Sequence, residues 1–443
     1  MGAAGRPGRG YGLTGRAAAC GILAAALWAS GNRWARRAAW RGLGSMAAAS
    51  VAASLAGRRP ARPAVAAASA TAFATGIALE LPYLGVPALA IGAGPAILRA
   101  IAQADHPPSV LAGAALGAGA GLFTLRWWPR RPPQPAAAAR PPWRAPAAPA
   151  GEGLALLINM SAGTASAGLA RWLAAELPAA TITKLTAGQD LAAALRRAAT
   201  QARILGVAGG DGSVSTAAAV AVHLGLPLLV IPAGTFNHFA ADLGIWSGHD
   251  AVAALRAGDA VLVDVAIAGS RSFVNTSSTG VYVDLVRARQ RLEARLGRRL
   301  AAVVALIQVL GRSRPHELAL NGQRRQVWLY FAGNCRYEPP GMAPAYRPDL
   351  RDGYLDIRLV EAGLLARSRL VAAVLTGTLG RSRVYHSWQA ESAELQVVDG
   401  GPVWLSVDGE VATAESGFTQ GKHPRGLLVY RRAGPEPGRE ASV

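Results

Sequence analysis

Residues 204–213 read Ile204-Leu205-Gly206-Val207-Ala208-Gly209-Gly210-Asp211-Gly212-Ser213, and the alanine-rich segment Val214 to Leu224 follows. An apolar run that ends in a glycine turn and opens a helical segment predicts a buried strand, a tight turn and a helix N-terminus. α/β folds build phosphate cradles this way. Glycines let the backbone approach an anion closely, and the N–H groups of the first helical turn, which lack intrahelical acceptors, point at it. The loop contains no Lys, which excludes a Walker-type P-loop. Asp211 within it needs a metal, a donor or a sugar hydroxyl as partner. From these residues alone an ordinary tight turn stays open beside a nucleotide-phosphate site.

Downstream, the short apolar run Leu228 to Ile231 leads into Pro232-Ala233-Gly234-Thr235-Phe236-Asn237-His238-Phe239-Ala240. Thr235 and Asn237 are small polar groups at a strand end, where open α/β sheets bind ligands. Upstream, Leu154 to Ile158 leads into Asn159-Met160-Ser161-Ala162-Gly163. Further along come Val274-Asn275-Thr276 with Gly280, Gly333-Asn334 with Tyr337, Asp352-Gly353-Tyr354-Leu355-Asp356, and Asp408-Gly409-Glu410. In this order, over residues 151–432, the motifs resemble the diacylglycerol kinase catalytic family, the bacterial lipid kinases related to sphingosine kinases. Ser213 replaces the Thr of the family's GGDGT turn and keeps a hydroxyl. His238 replaces a family carboxylate, and Met160 and Ala162 depart from its NPxSG loop.

The resemblance implies an ATP-dependent lipid kinase that moves the γ-phosphoryl group to the hydroxyl of diacylglycerol or a related membrane alcohol, with ATP and Mg²⁺ as cofactors. It assigns the nucleotide cradle to Asn159, Gly163, Gly209, Gly210, Asp211, Gly212, Ser213, Gly234, Thr235 and Asn237, with Thr186 added by its position after the second strand. It places Mg²⁺ at Asp352, and makes Glu410 the general base with Asp408 as its acidic neighbour. Two carboxylates so close raise one another's proton affinity. Asp-Gly is equally the signal of a type I′ hairpin turn. Two alternatives stay open: a membrane-anchored pseudokinase that binds nucleotide or lipid and regulates something else, and an NAD kinase-like enzyme.

Alternation of strands and helices over residues 151–258 predicts an α/β nucleotide-binding domain with a mainly parallel sheet. Strands dominate residues 259–432, which suggests a β-sandwich-like second domain with a helical interruption at Ser368 to Leu379. Leu427 to Tyr430 is expected to return to the first domain, and residues 433–443 form a tail.

Residues 1–126 differ in kind. Ala17 to Ser30, Gly42 to Ala56, Ala64 to Leu79, Tyr83 to Ala102 and Val110 to Leu125 are apolar, small-residue stretches. They suggest an all-α membrane domain of four or five spans, hence a multi-pass membrane protein with its kinase part facing the cytoplasm. The region also resembles the type 2 phosphatidic acid phosphatase family at Arg58-Arg59-Pro60, Ala67 to Gly76 and Val110 to Gly113. Pro63-Ala64-Val65-Ala66 stands where that family's nucleophile loop belongs. Its histidine is missing, so the resemblance implies an inactive, shortened domain. Residues 127–150 are Pro/Ala/Arg-rich without periodicity and read as a semi-rigid linker.

Across all 443 residues, 46 Lys plus Arg against 26 Asp plus Glu give a formal charge of +20, yet Lys occurs only at positions 184 and 422. No basic patch is interleaved with aromatics, which argues against nucleic acid as a partner. The expected partners are the lipid substrate and the bilayer, and a homodimer is left open. The arginines of Asp284 to Leu306 could face anionic headgroups or plain solvent. The two cysteines, Cys20 and Cys335, have neither disulfide nor metal-ligand spacing.

Overall fold

Strands covered on both faces read as continuous apolar runs, and three such runs make the centre of the first sheet. The structure is a computed structural model that describes residues 11–29, 33–55, 62–81, 107–126, 135–137, 143–234, 237–281, 283–284, 287–288, 291–292, 309, 315–338, 345–362, 382–398, 403–414, 417–423 and 426–431. The chain divides into two compact units, Met1–Arg131 and Pro132–Val443.

In the second unit, β1 (Trp143–Arg144), β2 (Leu154–Asn159), β3 (Thr181–Leu185), β4 (Ile204–Gly209), β5 (Leu228–Pro232), β6 (Asp259–Val263) and β18 (Leu427–Tyr430) form one seven-stranded sheet in the order β1-β6-β18-β5-β4-β2-β3. β2 pairs in parallel with β3 and β4, β4 with β5, and β5 with β18. β6 and β1 close one side antiparallel. Parallel neighbours require crossover connections, and here these are helices: Ala167–Glu176, Leu191–Ala199 and Asp211–Leu224. Side-chain caps from Ser166 and Asp190 start the first two. The third starts at Gly210, which has no side chain to offer. Leu156, Ile158, Val207, Leu229, Ile231 and Val429, all fully or nearly fully buried, make the core of this layer. β18 inserts between β5 and β6, so the chain's last strand completes the first sheet.

The other strands are β7 (Ala266–Ala268), β8 (Arg271–Phe273), β9 (Thr276–Gly280), β10 (His316–Leu320), β11 (Gln323–Asn334), β12 (Leu355–Glu361), β13 (Tyr385–Ala390), β14 (Ser392–Val397), β15 (Val403–Val407), β16 (Glu410–Ala414) and β17 (Gly417–Lys422). They form an antiparallel sheet of eleven strands linked by continuous hydrogen bonding, not two separate sandwich sheets. The twelve-residue β11 does this: it pairs with β9, β10 and β12 in turn and carries the sheet around one core that includes Phe273, Tyr330, Leu355 and Leu405. The helical stretch expected at Ser368 to Leu379 and most of Asp284 to Leu306 lie outside the described residues.

Where it is described, the Pro/Ala-rich segment 127–150 finds backbone partners in the second unit. Ala136 donates to the Asp242 carbonyl at 2.8 Å, Ala137 donates to the Pro348 carbonyl at 2.7 Å, and β1 adds an edge strand beside β6. Composition predicts stiffness but is blind to the backbone partners a segment finds.

One expectation is corrected in the first unit, whose described helices are Tyr11–Ala29, Arg33–Leu55, Arg62–Glu80 and Pro107–Phe123. Among the described residues no helix is long and apolar enough to cross a membrane, and the expected multi-pass membrane localisation therefore fails. Pro107–Phe123 has 17 residues, which at ~1.5 Å each fall short of a ~30 Å hydrocarbon core. Arg33–Leu55 carries Arg33, Arg36, Arg37 and Arg41, two of which pair with Glu80 at 2.8 and 2.6 Å. The small residues do serve close helix packing, as expected, but in helices that do not span a membrane. A side chain at Gly113 or Gly117 would meet the carbonyls of Ala64 and Ala68 at 2.2 and 2.1 Å. The stretch Tyr83 to Ala102 lies outside the described residues, as does Arg58-Arg59-Pro60. Pro63 to Ala66, where a phosphatase would carry a loop, belongs to the helix Arg62–Glu80.

Candidate active site

Because β2, β4 and β5 run parallel, their carboxyl ends, Asn159, Gly209 and Pro232, lie along one edge of the sheet, and the loops that follow meet there. Thr164 donates its N–H to the Ala233 carbonyl at 2.8 Å, and Ala233 donates to Gly209 at 3.0 Å. The Asn159 amide spans the gap: Nδ2 donates to Ser213 Oγ at 2.9 Å while Oδ1 accepts from the Ser161 N–H at 3.0 Å. Asn159 thus fixes the orientation of the hydroxyl that replaces the family's Thr. Gly163 lies exposed in the same loop. Gly210 caps the helix Asp211–Leu224 without any side-chain hydrogen bond. The first-turn N–H groups are therefore presented to a ligand, with the positive end of the helix dipole behind them. Asp211 accepts the Phe239 N–H at 3.4 Å, so its partner is the second turn.

That second turn presses on the first. Asn237, held in the left-handed conformation at φ 52°, accepts the Gly234 N–H and donates to the Gly234 carbonyl, both at 2.9 Å. A Cβ at Gly234 would sit 2.3 Å from Gly210 Cα, whereas one at Gly210 would sit 3.3 Å from Gly234 Cα. Gly234→Ala is therefore expected to push the two turns apart, costing about 1–3 kcal/mol in stability, as overpacking does, and weakening nucleotide binding far more than Gly210→Ala. Calorimetric titration with a nucleotide triphosphate checks this, and equal effects from the two variants would refute it. Thr235 lies outside the described residues. Thr186, exposed after β3, bonds only locally: its N–H and hydroxyl both donate to Gln189 Oε1, at 2.8 and 3.3 Å.

Facing the helix N-terminus is the hairpin of β15 and β16. Val407 and Glu410 pair across a two-residue turn in which Asp408 and Gly409 both have positive φ, 47° and 87°, so the Asp-Gly signal yields the type I′ turn it predicts. Glu410 leads out of the turn with part of its surface exposed and its carboxylate against the helix start, where Oε1 lies 3.1 Å from the place of a Cβ on Gly212. Two segments about two hundred residues apart in sequence meet at this point. Burial and the neighbouring Asp408 charge raise the proton affinity of Glu410, and Arg271 opposes them.

The Asp408 carboxylate is buried and accepts three backbone N–H groups, from Val274 at 2.9 Å, Asn275 at 2.8 Å and Thr276 at 2.7 Å. Burial raises its proton affinity, and a hydrogen bond from Ser215 and these amides oppose the rise. These bonds anchor the hairpin tip, and from there the Asp408 charge acts on Glu410. Ser215 belongs to the helix Asp211–Leu224, and Asp408 thereby ties that helix to the turn that carries Glu410. No local pattern in the sequence marks Ser215 or the receiving amides.

Asp352, expected to hold Mg²⁺, accepts two backbone N–H groups at its turn. Oδ2 accepts the Arg336 N–H at 2.7 Å and Oδ1 accepts the Tyr354 N–H at 2.9 Å. Its carboxylate gathers with those of Asp264 and the thiol of Cys335 within 4.8 Å, a grouping of ligand types. This set does not fit a resident Mg²⁺. Mg²⁺ demands hard oxygen donors in near-octahedral array, whereas one member here is a buried thiol that burial pushes up to about 12. The Lys422 ammonium also stands 3.3 Å from Asp264 Oδ2. Asp356 supports the same loop, accepting the Tyr337 N–H at 3.0 Å and pairing with Arg358 at 2.7 Å.

A parallel sheet with glycine turns on its carboxyl edge and an acidic hairpin facing them is an α/β arrangement of the kind that folds of this class use to receive anions. Residues 153–268 match the family model described as the diacylglycerol kinase catalytic domain. That match ends in β7 and does not reach Glu410. Among solved structures, the chain is similar over 63% of its length to 97% of a Bacillus anthracis str. Sterne protein described provisionally as a diacylglycerol kinase, at 20% identity and a TM-score of 0.48. It is also similar, again over 63% of its length, to 96% of a diacylglycerol kinase from the same organism, at 19% identity and a TM-score of 0.43.

Proposed function

We propose that the chain is an ATP-dependent kinase acting on a membrane lipid alcohol, diacylglycerol or a close analogue. The observation that carries the reading is the approach of the Glu410 carboxylate to Gly212, at the uncapped start of the helix Asp211–Leu224. ATP enters as its Mg²⁺ complex, with the triphosphate against the N–H groups after Gly210. The lipid hydroxyl enters from the hairpin side. Glu410 takes the hydroxyl proton as the oxygen attacks the γ-phosphorus, the bond to the bridging oxygen breaks, and ADP leaves with the negative charge. Preorganised N–H donors at the helix start stabilise charge on the transferring group.

The test is transfer of labelled phosphate from ATP to a panel of lipid alcohols presented in mixed micelles. We expect a phosphorylated lipid product from diacylglycerol or a related alcohol and none from NAD. Phosphorylation of NAD alone would replace this reading with an NAD kinase-like one. Nucleotide binding with no turnover on any lipid would make the chain a pseudokinase.

A further inference from the structure

The cluster of Asp264, Cys335 and Asp352 already holds a cation, and it belongs to the chain. Lys422 Nζ donates to Asn334 Oδ1 at 2.7 Å and to Cys335 Sγ at 3.4 Å, and lies 3.3 Å from Asp264 Oδ2. Both charged side chains of the pair are 16% exposed, so water screens them little. The surrounding backbone is shaped to this arrangement. Cys335 is held in the left-handed conformation at φ 69°, which only a strongly determined site imposes on a non-glycine residue. Gly353 donates its N–H to Asp264 Oδ2 at 3.0 Å. The choice of residue is informative too: the chain uses Arg nearly everywhere and Lys at only two positions, 184 and 422. A compact ammonium can serve three acceptors grouped around one point, which a planar guanidinium fork cannot.

We propose that the Lys422 ammonium is the resident cation of this cluster and takes the place of the divalent ion that the family resemblance implies there. The last strand of the second sheet, β17, delivers it from the far end of the chain. The ammonium offsets the Asp264 carboxylate without metal, and a divalent ion entering the site would meet a fixed positive charge at hydrogen-bond distance from one of its would-be ligands. This inference does not depend on which substrate the active site takes.

The experiment is a nucleotide-free comparison of thermal melting in EDTA and in millimolar Mg²⁺ or Mn²⁺, with metal content measured by mass spectrometry after dialysis. The intact chain is expected to melt at the same temperature in all three and to retain no stoichiometric divalent ion. Lys422→Met is expected to melt lower in EDTA and to regain several degrees with Mg²⁺ or Mn²⁺. Lys422→Arg, with its charge kept, should show no such gain. One retained divalent ion per wild-type chain, a wild-type melt that falls in EDTA, or a Lys422→Met melt indifferent to added metal would each overturn the proposal. If Lys422→Met does not fold, the wild-type metal content and EDTA response decide alone.

Discussion

Glu410→Gln is expected to abolish phosphoryl transfer, lowering kcat by roughly 10²- to 10⁴-fold, the range that positioned general bases contribute. The substitution keeps the side chain's size and its capacity to accept a hydrogen bond but removes the ability to take a proton. Glu410 is exposed and leads out of a turn whose geometry is set by Asp408 and Gly409, so the variant should fold and melt like the parent. Nucleotide affinity should also survive, because the N–H donors after Gly210 come from the backbone. The pH profile supplies an independent reading. Burial and Asp408 hold the Glu410 proton affinity above the ordinary carboxylate range, against the pull of Arg271. A base works only when deprotonated, so kcat should rise with pH through that elevated value, and the acid limb should vanish in the residual activity of the variant. A Glu410→Gln enzyme retaining more than a tenth of parental kcat would remove Glu410 from the role of base.

The parts of this site that the sequence reveals are those fixed by local rules. An apolar run, a glycine turn and an alanine-rich segment specify β4 and the helix after it within the single stretch Ile204 to Leu224, and Asp-Gly specifies a type I′ turn locally. Non-local partners leave no such trace. Asp408 reads as a second acid because its chemistry is visible while the amides of Val274 to Thr276, more than 130 residues earlier, are not. Nor does anything in the sequence near Asp264 or Cys335 announce Lys422, whose ammonium meets both. The membrane reading failed on a different point: alanine and glycine count as apolar in a composition tally, yet bury little surface each. Their service to close helix packing, as at Gly113 and Gly117, needs no lipid.

Arg347 is the clearest residue with no motif, and its removal carries the largest expected effect on stability. It is fully buried, and Nε donates to Asp242 Oδ2 at 2.8 Å. One terminal nitrogen donates to the carbonyls of Val274 at 2.5 Å and Asn334 at 3.1 Å, and the other to Asn275 Oδ1 at 3.2 Å. These acceptors come from both sheets' connections: Asp242 ends the short helix behind the Gly234 turn, while Val274 and Asn275 supply the amides that hold Asp408. Arg347→Met is expected to cost about 3–5 kcal/mol in urea unfolding, because it deprives a buried carboxylate of its guanidinium. The packing of a well-filled methionine cannot replace four hydrogen bonds. Pairing it with Asp242→Leu should recover part of that loss, since the uncompensated charge disappears with its partner. Strict additivity of the two changes would mean that the pair is not coupled. Phosphoryl transfer should fall further than stability alone explains, because the same guanidinium sets the distance between the turn at Gly234 and the segment that anchors the Glu410 hairpin. A folded Arg347→Met protein with unimpaired kcat would show that the two halves of the site are aligned by something else.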